Sequence, residues 1–310
     1  MAPGIPNIVV SVPTEELADA LRPVPEGVEL LVWEMTSPPP REAIDLVVPP
    51  YMSMHKLMPR LAEVRTRLVQ SQSIGYEGVE EQLPPGHAFA NAASVHETST
   101  AELAVGLAIA SQRHLPAYIR AQDEQRWAQE FSQSLADRRV LLLGYGGVGK
   151  AVAARLAPFE VELTIVASRA RFEDGMPVHG VERLLELLPQ AEIVIVTLPG
   201  GEATRHILDA RALAALPDGA LVVNVGRGPL IDTDALVSEL ERGRLRAALD
   251  VTDPEPLPAG HPLWSAPGAL IVPHVGGASS AMKPRTVKLI RTQIDRMLAG
   301  EPPVNVVFES

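Results

Sequence analysis

Arg139-Val-Leu-Leu-Leu-Gly-Tyr-Gly-Gly-Val-Gly-Lys150 is the stretch on which the fold turns. Residues 140–143 are aliphatic without a break and read as a buried strand, and Gly144, Gly146 and Gly149 follow in G-x-G-x-x-G spacing. In such a loop the first glycine permits a tight turn. The second lets backbone approach a pyrophosphate, and the third lets helix pack closely on strand. Residues 151–156 read as the helix, and its unpaired first amides, with Gly147 and Val148, are placed to meet the phosphates. A flexible glycine-rich turn would carry the same letters. The strand before it and the helix after it are the context that a nucleotide loop requires.

Five further strand candidates follow, at 163–166, 193–197, 221–225, 247–251 and 270–272, with helical segments among them. Six in series suit a dinucleotide-binding domain built on a parallel sheet. Upstream, 7–12, 28–32, 46–48 and a short run from Leu68 read as strands, with Thr14 capping a helix between the first two. This is a second, smaller α/β domain, again with a parallel sheet covered on both faces. Residues 100–113 are small and apolar on almost every side, as in a buried helix. A final helix over 280–298 carries the chain back to the first domain. The expected division is therefore 1–95 with 277–310 as the smaller domain and 96–276 as the dinucleotide-binding domain.

The composition narrows the function classes. The chain has 310 residues, 46% hydrophobic and 21% charged, with a formal net charge of -11 and no cysteine. The missing thiols exclude disulfide scaffolds, cysteine-ligated zinc, thiolate nucleophiles and iron–sulfur clusters. The negative balance gives no general attraction to nucleic acid or to an anionic membrane. No apolar run approaches the roughly 18 residues of a membrane span, and the first residues lack the basic start of a signal peptide. A cytoplasmic protein with no nucleic-acid or membrane partner is the expectation. No metal-ligand spacing stands out.

About 20 residues past a glycine loop, NAD-binding proteins place an acid against the ribose hydroxyls. Here the second strand ends on Ser168, and Arg169 and Arg171 follow. A carboxylate would repel a 2′-phosphate, whereas guanidinium groups bind one through charge-assisted hydrogen bonds. Two solvated arginines on a surface turn would look the same. The reading favours NADP(H) over NAD(H).

Three later segments carry chemistry. Val223-Asn-Val-Gly-Arg-Gly-Pro229 sets Arg227 between glycines just after a strand, where an arginine can hold a carboxylate through two parallel hydrogen bonds. Leu249-Asp-Val-Thr-Asp-Pro-Glu-Pro256 puts Asp250 at a strand end and Glu255 between prolines, and Ile271-Val-Pro-His-Val-Gly-Gly277 puts His274 at the end of the last strand. Hydride transfer to a ketone needs a proton for the oxygen. Histidine titrates near neutrality, and a nearby carboxylate favours its protonated form. Each residue alone has a bland explanation as turn or solvated loop. His55, with Met52 and Met54, reads either as pocket lining or as packing.

Together, Gly144-Tyr-Gly-Gly-Val-Gly149, Asn224-Val-Gly-Arg-Gly228 with Asp232 and Ala235-Leu236, residues 250–256, Pro273-His-Val-Gly276, Thr100-Ala-Glu-Leu103 and Val304-Asn-Val306 resemble the D-isomer-specific 2-hydroxyacid dehydrogenase family. The resemblance covers most of the chain. It implies a Rossmann cofactor domain, a smaller flavodoxin-like and discontinuous substrate domain, a cleft between them, and a homodimer formed through the cofactor domain. Carried over by position, it implies that Arg227 binds substrate carboxylate and carbonyl, that His274 is the acid–base group, and that Glu255 is its partner. It also implies that Asp250 meets the nicotinamide carboxamide, that the turn with Ile74 and Gly75 offers its amides to the substrate carboxylate, and that Leu198 and Pro199 line the cofactor cleft. Val225, Gly226 and Gly276 fall beside the cofactor in the same scheme. Ser168-Arg169 departs from the many members with an acid there. Formate dehydrogenases of the superfamily carry Gln where Glu255 stands, which argues against that activity. The expectation is a glyoxylate- or hydroxypyruvate-type reductase using NADPH. The alternative is an NAD(P)H-sensing, corepressor-like protein of the same fold. A lactate dehydrogenase of opposite stereochemistry would have its glycine loop near the N-terminus.

Overall fold

A computed structural model describes residues 8–51 and 53–309, with the His55 side chain set aside. Asn7, at the start of the first expected strand, Met52 and the His55 side chain therefore lie outside what is described. The chain divides into two units, Met1–His96 with Ser280–Ser310, and Glu97–Ser279.

In the first unit the chain forms β1 (Ile8–Val12), α1 (Glu15–Leu21), β2 (Val28–Val32), β3 (Leu46–Val47), α2 (Met54–Leu57), β4 (Leu68–Gln70) and β5 (Ala88–Ala90). Thr14 caps α1 as its position suggested, its hydroxyl accepting from the Leu17 amide at 3.2 Å, with Glu15 and Glu16 in the first turn. The five strands run parallel in the order β2-β1-β3-β4-β5. That order is the flavodoxin-like one. Met54 is buried in the cluster with Trp33, Met58 and Phe89, so it packs the core.

The second unit opens with α3 (Glu97–Gln112) and α4 (Leu115–Asp123). It continues through β6 (Arg139–Leu143), α5 (Gly147–Leu156), β7 (Glu162–Ala167), β8 (Arg171–Glu173) and β9 (Met176–Gly180). Then come α6 (Leu184–Leu187), β10 (Ile193–Val196), α7 (Ala210–Ala215), β11 (Leu221–Asn224), α8 (Thr233–Glu241), β12 (Arg246–Leu249) and β13 (Ala269–Ile271). The sheet runs β13-β12-β11-β10-β6-β7-β9-β8. The direction of winding reverses between β6 and β10, as in dinucleotide-binding folds. Alternate residues feed opposite layers. Leu141 and Leu143 join one core, Val140 and Leu142 the other.

The edge beyond β7 corrects the sequence reading. Arg171 does not sit on a turn after the second strand; it begins β8, which pairs antiparallel with β9. Asp174 and Gly175 both have positive φ, 53° and 78°, and Glu173 pairs with Met176. This is a two-residue hairpin turn of the kind that Asp-Gly favours.

The chain then forms α9 (Met282–Ala299) and β14 (Val306–Glu309), which belong to the first unit. Leu289, Ile290, Gln293, Ile294 and Met297 form the buried stripe of α9, and Ile290, Ile294 and Met297 pack with Leu17 and Leu21 of α1. β14 adds to β5 antiparallel and closes the six-stranded sheet. Among the described residues no helix is long and apolar enough to cross a membrane.

Gln293 holds this return in place. Fully buried, it donates to Gln70 Oε1 at 2.7 Å and to the Val304 carbonyl at 2.8 Å, and accepts from the Val304 amide at 3.0 Å. Gln70 in turn donates to the Ser71 and Asn91 carbonyls. Replacing Gln293 with Leu leaves these buried groups without partners, at about 1–3 kcal/mol for each. Urea denaturation of Gln293→Leu is expected to show a loss of about 3 kcal/mol. A loss under ~1 kcal/mol would show that the network is not what secures the return.

Candidate functional site

The glycine loop has the shape of a phosphate cradle. Gly144 takes φ 114°, and a Cβ there would lie 2.6 Å from Thr197 Oγ1. A Cβ on Gly149 would come within 2.1 Å of the Gly144 carbonyl oxygen, so helix and strand meet at a distance that only glycine allows. Nothing lies within 4 Å of a Cβ built on Gly146, where space stays open beside the backbone. α5 has no side-chain N-cap, so the amides of Gly147 and Val148 belong to a helix start that an anion can satisfy. These residues fit the pyrophosphate of a dinucleotide. Leu198 follows β10 half-buried and Pro199 is exposed. The Cβ of a substituted Gly226 would fall 2.6 Å from the Leu198 carbonyl oxygen, which puts these two loops side by side.

At the end of β7, Ser168 and Arg169 are exposed. Arg171 is committed elsewhere: its Nε donates to Glu173 at 2.6 Å, with longer contacts to the Arg169 and Tyr145 carbonyls. Lys150, on α5, binds the other oxygen of Glu173 at 2.6 Å and Asp174 at 3.1 Å. Hydrogen bonds from Lys150 and Arg171 hold the Glu173 carboxyl below its usual range. Sequence reading passed over this cluster because it rests on the hairpin. The Asp174-Gly175 pair was the available signal.

Arg227, Glu255 and His274 come together. Asn224, buried at the end of β11, donates to the Arg227 carbonyl at 2.9 Å and accepts from the Gly226 amide at 3.0 Å. This bracket shapes the turn bearing Arg227, whose charge acts on both Glu255 and His274. Just past β13, His274 Nδ1 lies 2.5 Å from Glu255 Oε1. The hydrogen bond to Glu255 raises the imidazole pKa above its ordinary value, and it outweighs the partial burial that opposes it. Burial pushes the Glu255 carboxyl up, but its bond to His274 and the His274 charge bring it below its usual range.

His274 has φ 51°, a left-handed backbone that a non-glycine residue adopts only when its surroundings impose it. The restraint is Asp250. Its carbonyl accepts from the His274 amide at 2.8 Å, and its carboxylate accepts from the Val275 amide at 2.6 Å and the Gly276 amide at 2.9 Å. Burial raises the Asp250 pKa, and those two amides oppose the rise. Asp250 and Gly276, expected at the cofactor, thus carry the turn that presents the histidine. Val225 and Gly226 are buried at the start of the Arg227 turn.

Ile74 and Gly75 belong to the other unit. The Ile74 carbonyl accepts from Asn91 Nδ2 at 2.9 Å, and the Ser73 amide and carbonyl are taken by Ser71 and Ala92. His96 Nε2 meets the Gln72 carbonyl at 2.7 Å and stacks on Tyr51. The turn is braced through the Gln72, Ser73 and Ile74 carbonyls and the Ser73 amide.

Residues 105–276 match the family model described as D-isomer specific 2-hydroxyacid dehydrogenase, NAD binding domain. An uncharacterized protein of Corynebacterium melassecola is 35% identical over 219 residues, 69% of this chain and 72% of its own. A glyoxylate reductase of Thermofilum pendens is 29% identical over 252 residues, covering 78% and 74% of the two chains. The crystal structure of a D-isomer specific 2-hydroxyacid dehydrogenase from Xanthobacter autotrophicus in complex with NADPH superposes with TM-score 0.82. It is 28% identical and covers 98% of each chain.

The short bond makes a prediction about protons. Because Glu255 raises the folded-state pKa of His274, the imidazole stays charged to higher pH than a free one and loses its proton only as pH climbs through that raised value. Imidazole NMR of the whole protein should place the His274 titration above ordinary histidine, and Glu255→Gln should move it down. An unmoved titration in the variant would remove Glu255 as the cause.

Proposed function

From a chain that belongs to the D-isomer-specific 2-hydroxyacid dehydrogenase family, and is therefore an NAD(P)-dependent oxidoreductase, we propose a reductase of small 2-oxo acids of the glyoxylate or hydroxypyruvate type that forms the D-2-hydroxy acid and prefers NADPH. The observation that carries this reading is the His274–Glu255 contact of 2.5 Å beside Arg227, at the strand ends of the sheet that bears the nucleotide loop.

A bound nicotinamide supplies the hydride to the substrate carbonyl carbon. Arg227 binds the substrate carboxylate and polarises the carbonyl through charge-assisted hydrogen bonds. The resemblance to the family assigns the Ile74 and Gly75 amides to the substrate carboxylate as well. His274 Nδ1 is held by Glu255, which leaves Nε2 to deliver a proton to the oxygen as it gains charge. In the oxidative direction the same nitrogen withdraws it. Glu255 keeps the ring charged and fixes its orientation. Gly144, Gly146, Gly147, Val148 and Gly149 hold the pyrophosphate. Ser168, Arg169 and Arg171 receive the ribose end, and Leu198, Pro199, Val225, Gly226, Asp250 and Gly276 line the rest of the cofactor site. Named relatives and the NADPH-bound neighbour support this class of chemistry.

The same reading includes a cytoplasmic homodimer. Trp127 and Phe131, 94% and 106% exposed after α4, supply the apolar surface that a second copy would cover. Trp127→Ser with Phe131→Ser should shift the protein from dimer to monomer in light scattering. A dimer in the variant would move the interface elsewhere.

His274→Ala tests the chemistry itself. Turnover of glyoxylate or hydroxypyruvate should fall about 100-fold or more, while calorimetric binding of NADPH is retained. Near-normal turnover would end the acid–base role of His274.

A further inference from the structure

The charge cluster beside the nucleotide loop has no part in proton or hydride transfer. One carboxylate, Glu173, bridges two cations from separate elements: Lys150 of α5 at 2.6 Å and Arg171 of β8 at 2.6 Å. Asp174, at the hairpin tip, takes a second hydrogen of Lys150 at 3.1 Å. The Lys150 ammonium also lies 5.6 Å from the centre of the Tyr145 ring. Tyr145 is a member of the glycine loop itself, and its carbonyl is the far contact of the Arg171 guanidinium at 3.4 Å. The hairpin is thus docked on the loop by charge. Together with Lys150 of α5, it sets two cations and two carboxylates at the edge where the adenosine ribose end would lie.

Two positive and two negative charges cancel. Arg169 alone, among the charged groups described at this edge, has a guanidinium with no hydrogen-bond or salt-bridge partner. Such an arrangement does more than accept a phosphate. A dianionic group reaches Arg171 only by sharing it with Glu173, or by displacing Glu173 from it, and it meets the repulsion of that carboxylate.

We propose that Glu173 sets how strongly this site prefers a phosphorylated over an unphosphorylated adenosine ribose, by competing with the 2′-phosphate for Arg171. The inference rests on the reading of Ser168, Arg169 and Arg171 as the ribose end of the cofactor site. Glu173 is a specificity determinant that works against the phosphate. Its pairing with Lys150 holds it in place when Arg171 turns to the ligand. The strength of NADP(H) preference is therefore set by a carboxylate on the hairpin as well as by the arginines.

Calorimetric titration of the whole protein with 2′,5′-ADP and with 5′-AMP separates these roles without turnover. Glu173→Gln keeps the side-chain size and removes the charge. It should tighten 2′,5′-ADP about tenfold, as expected for one like charge removed near a dianion, while 5′-AMP serves as the reference for an intact site. Asp174→Asn removes a charge that faces Lys150 and Tyr145 rather than Arg171, and should give a distinctly smaller gain. Unchanged or weakened 2′,5′-ADP binding in Glu173→Gln, or an equal change for both ligands, would overturn the proposal. An equal gain in Asp174→Asn would overturn it too, by pointing to net charge. The underlying reading is tested separately. Arg169→Ala with Arg171→Ala should abolish the preference for 2′,5′-ADP and cancel the Glu173→Gln gain. Equal weakening of both ligands in that double variant would reject the phosphate site itself. Loss of preference there, with no effect of Glu173→Gln, would reject Glu173 alone.

Discussion

In a parallel sheet every strand points the same way, so the loops leaving the C-terminal ends gather along one edge. The candidate site depends on that constraint. β6, β10, β11, β12 and β13 are hydrogen-bonded neighbours, all parallel. Their ends release in turn the glycine loop, Leu198, Arg227, Asp250 and His274. Loops far apart in the chain, such as those of Gly144 and Leu198, thus come side by side along one edge. The apolar strands, fully buried at β10 and β11, supply the rigidity. The polar turns beyond them supply the chemistry.

Within that frame, position is refined by buried polar groups. Asn224 brackets the turn of Arg227, and Asp250 imposes on His274 a backbone that histidine would not choose. A buried carboxylate is costly unless its oxygens are satisfied. Here both oxygens of Asp250 accept amides from the turn that they shape. The desolvation cost of Asp250 is therefore linked to the presentation of His274, and through it to the short bond with Glu255. Electrostatics at the opposite side of the site follow a different logic. There the hairpin carboxylates temper the cations beside the glycine loop.

Much of this was legible in the chain. The strands of the second unit from β6 to β13, apart from the β8–β9 hairpin, announce themselves as aliphatic runs, and β6, β10, β11 and β12, buried along nearly their whole length, have no polar alternation to confuse the reading. Gly144, Gly146 and Gly149 declare the loop by spacing. β5 and β14 were missed: Ala88-Phe-Ala90 is too short to show periodicity, and β14 exists only through its pairing with β5. The hairpin was missed although Asp174-Gly175 marks it, since its strands, Arg171-Phe-Glu173 among them, look like surface. The bonds from Gln293 to Gln70 and from Asp250 to the amides beyond His274 join residues far apart in sequence. Nothing local in the chain encodes them. They belong to packing.

The central claim is that these strand ends carry out hydride and proton transfer on a small 2-oxo acid. Initial rates of NADPH and NADH oxidation with glyoxylate, hydroxypyruvate, pyruvate and phenylpyruvate test it most directly. The account predicts turnover of glyoxylate or hydroxypyruvate, faster with NADPH than with NADH. Cofactor binding without turnover of any of the four acids would contradict it and leave a protein that senses the nucleotide.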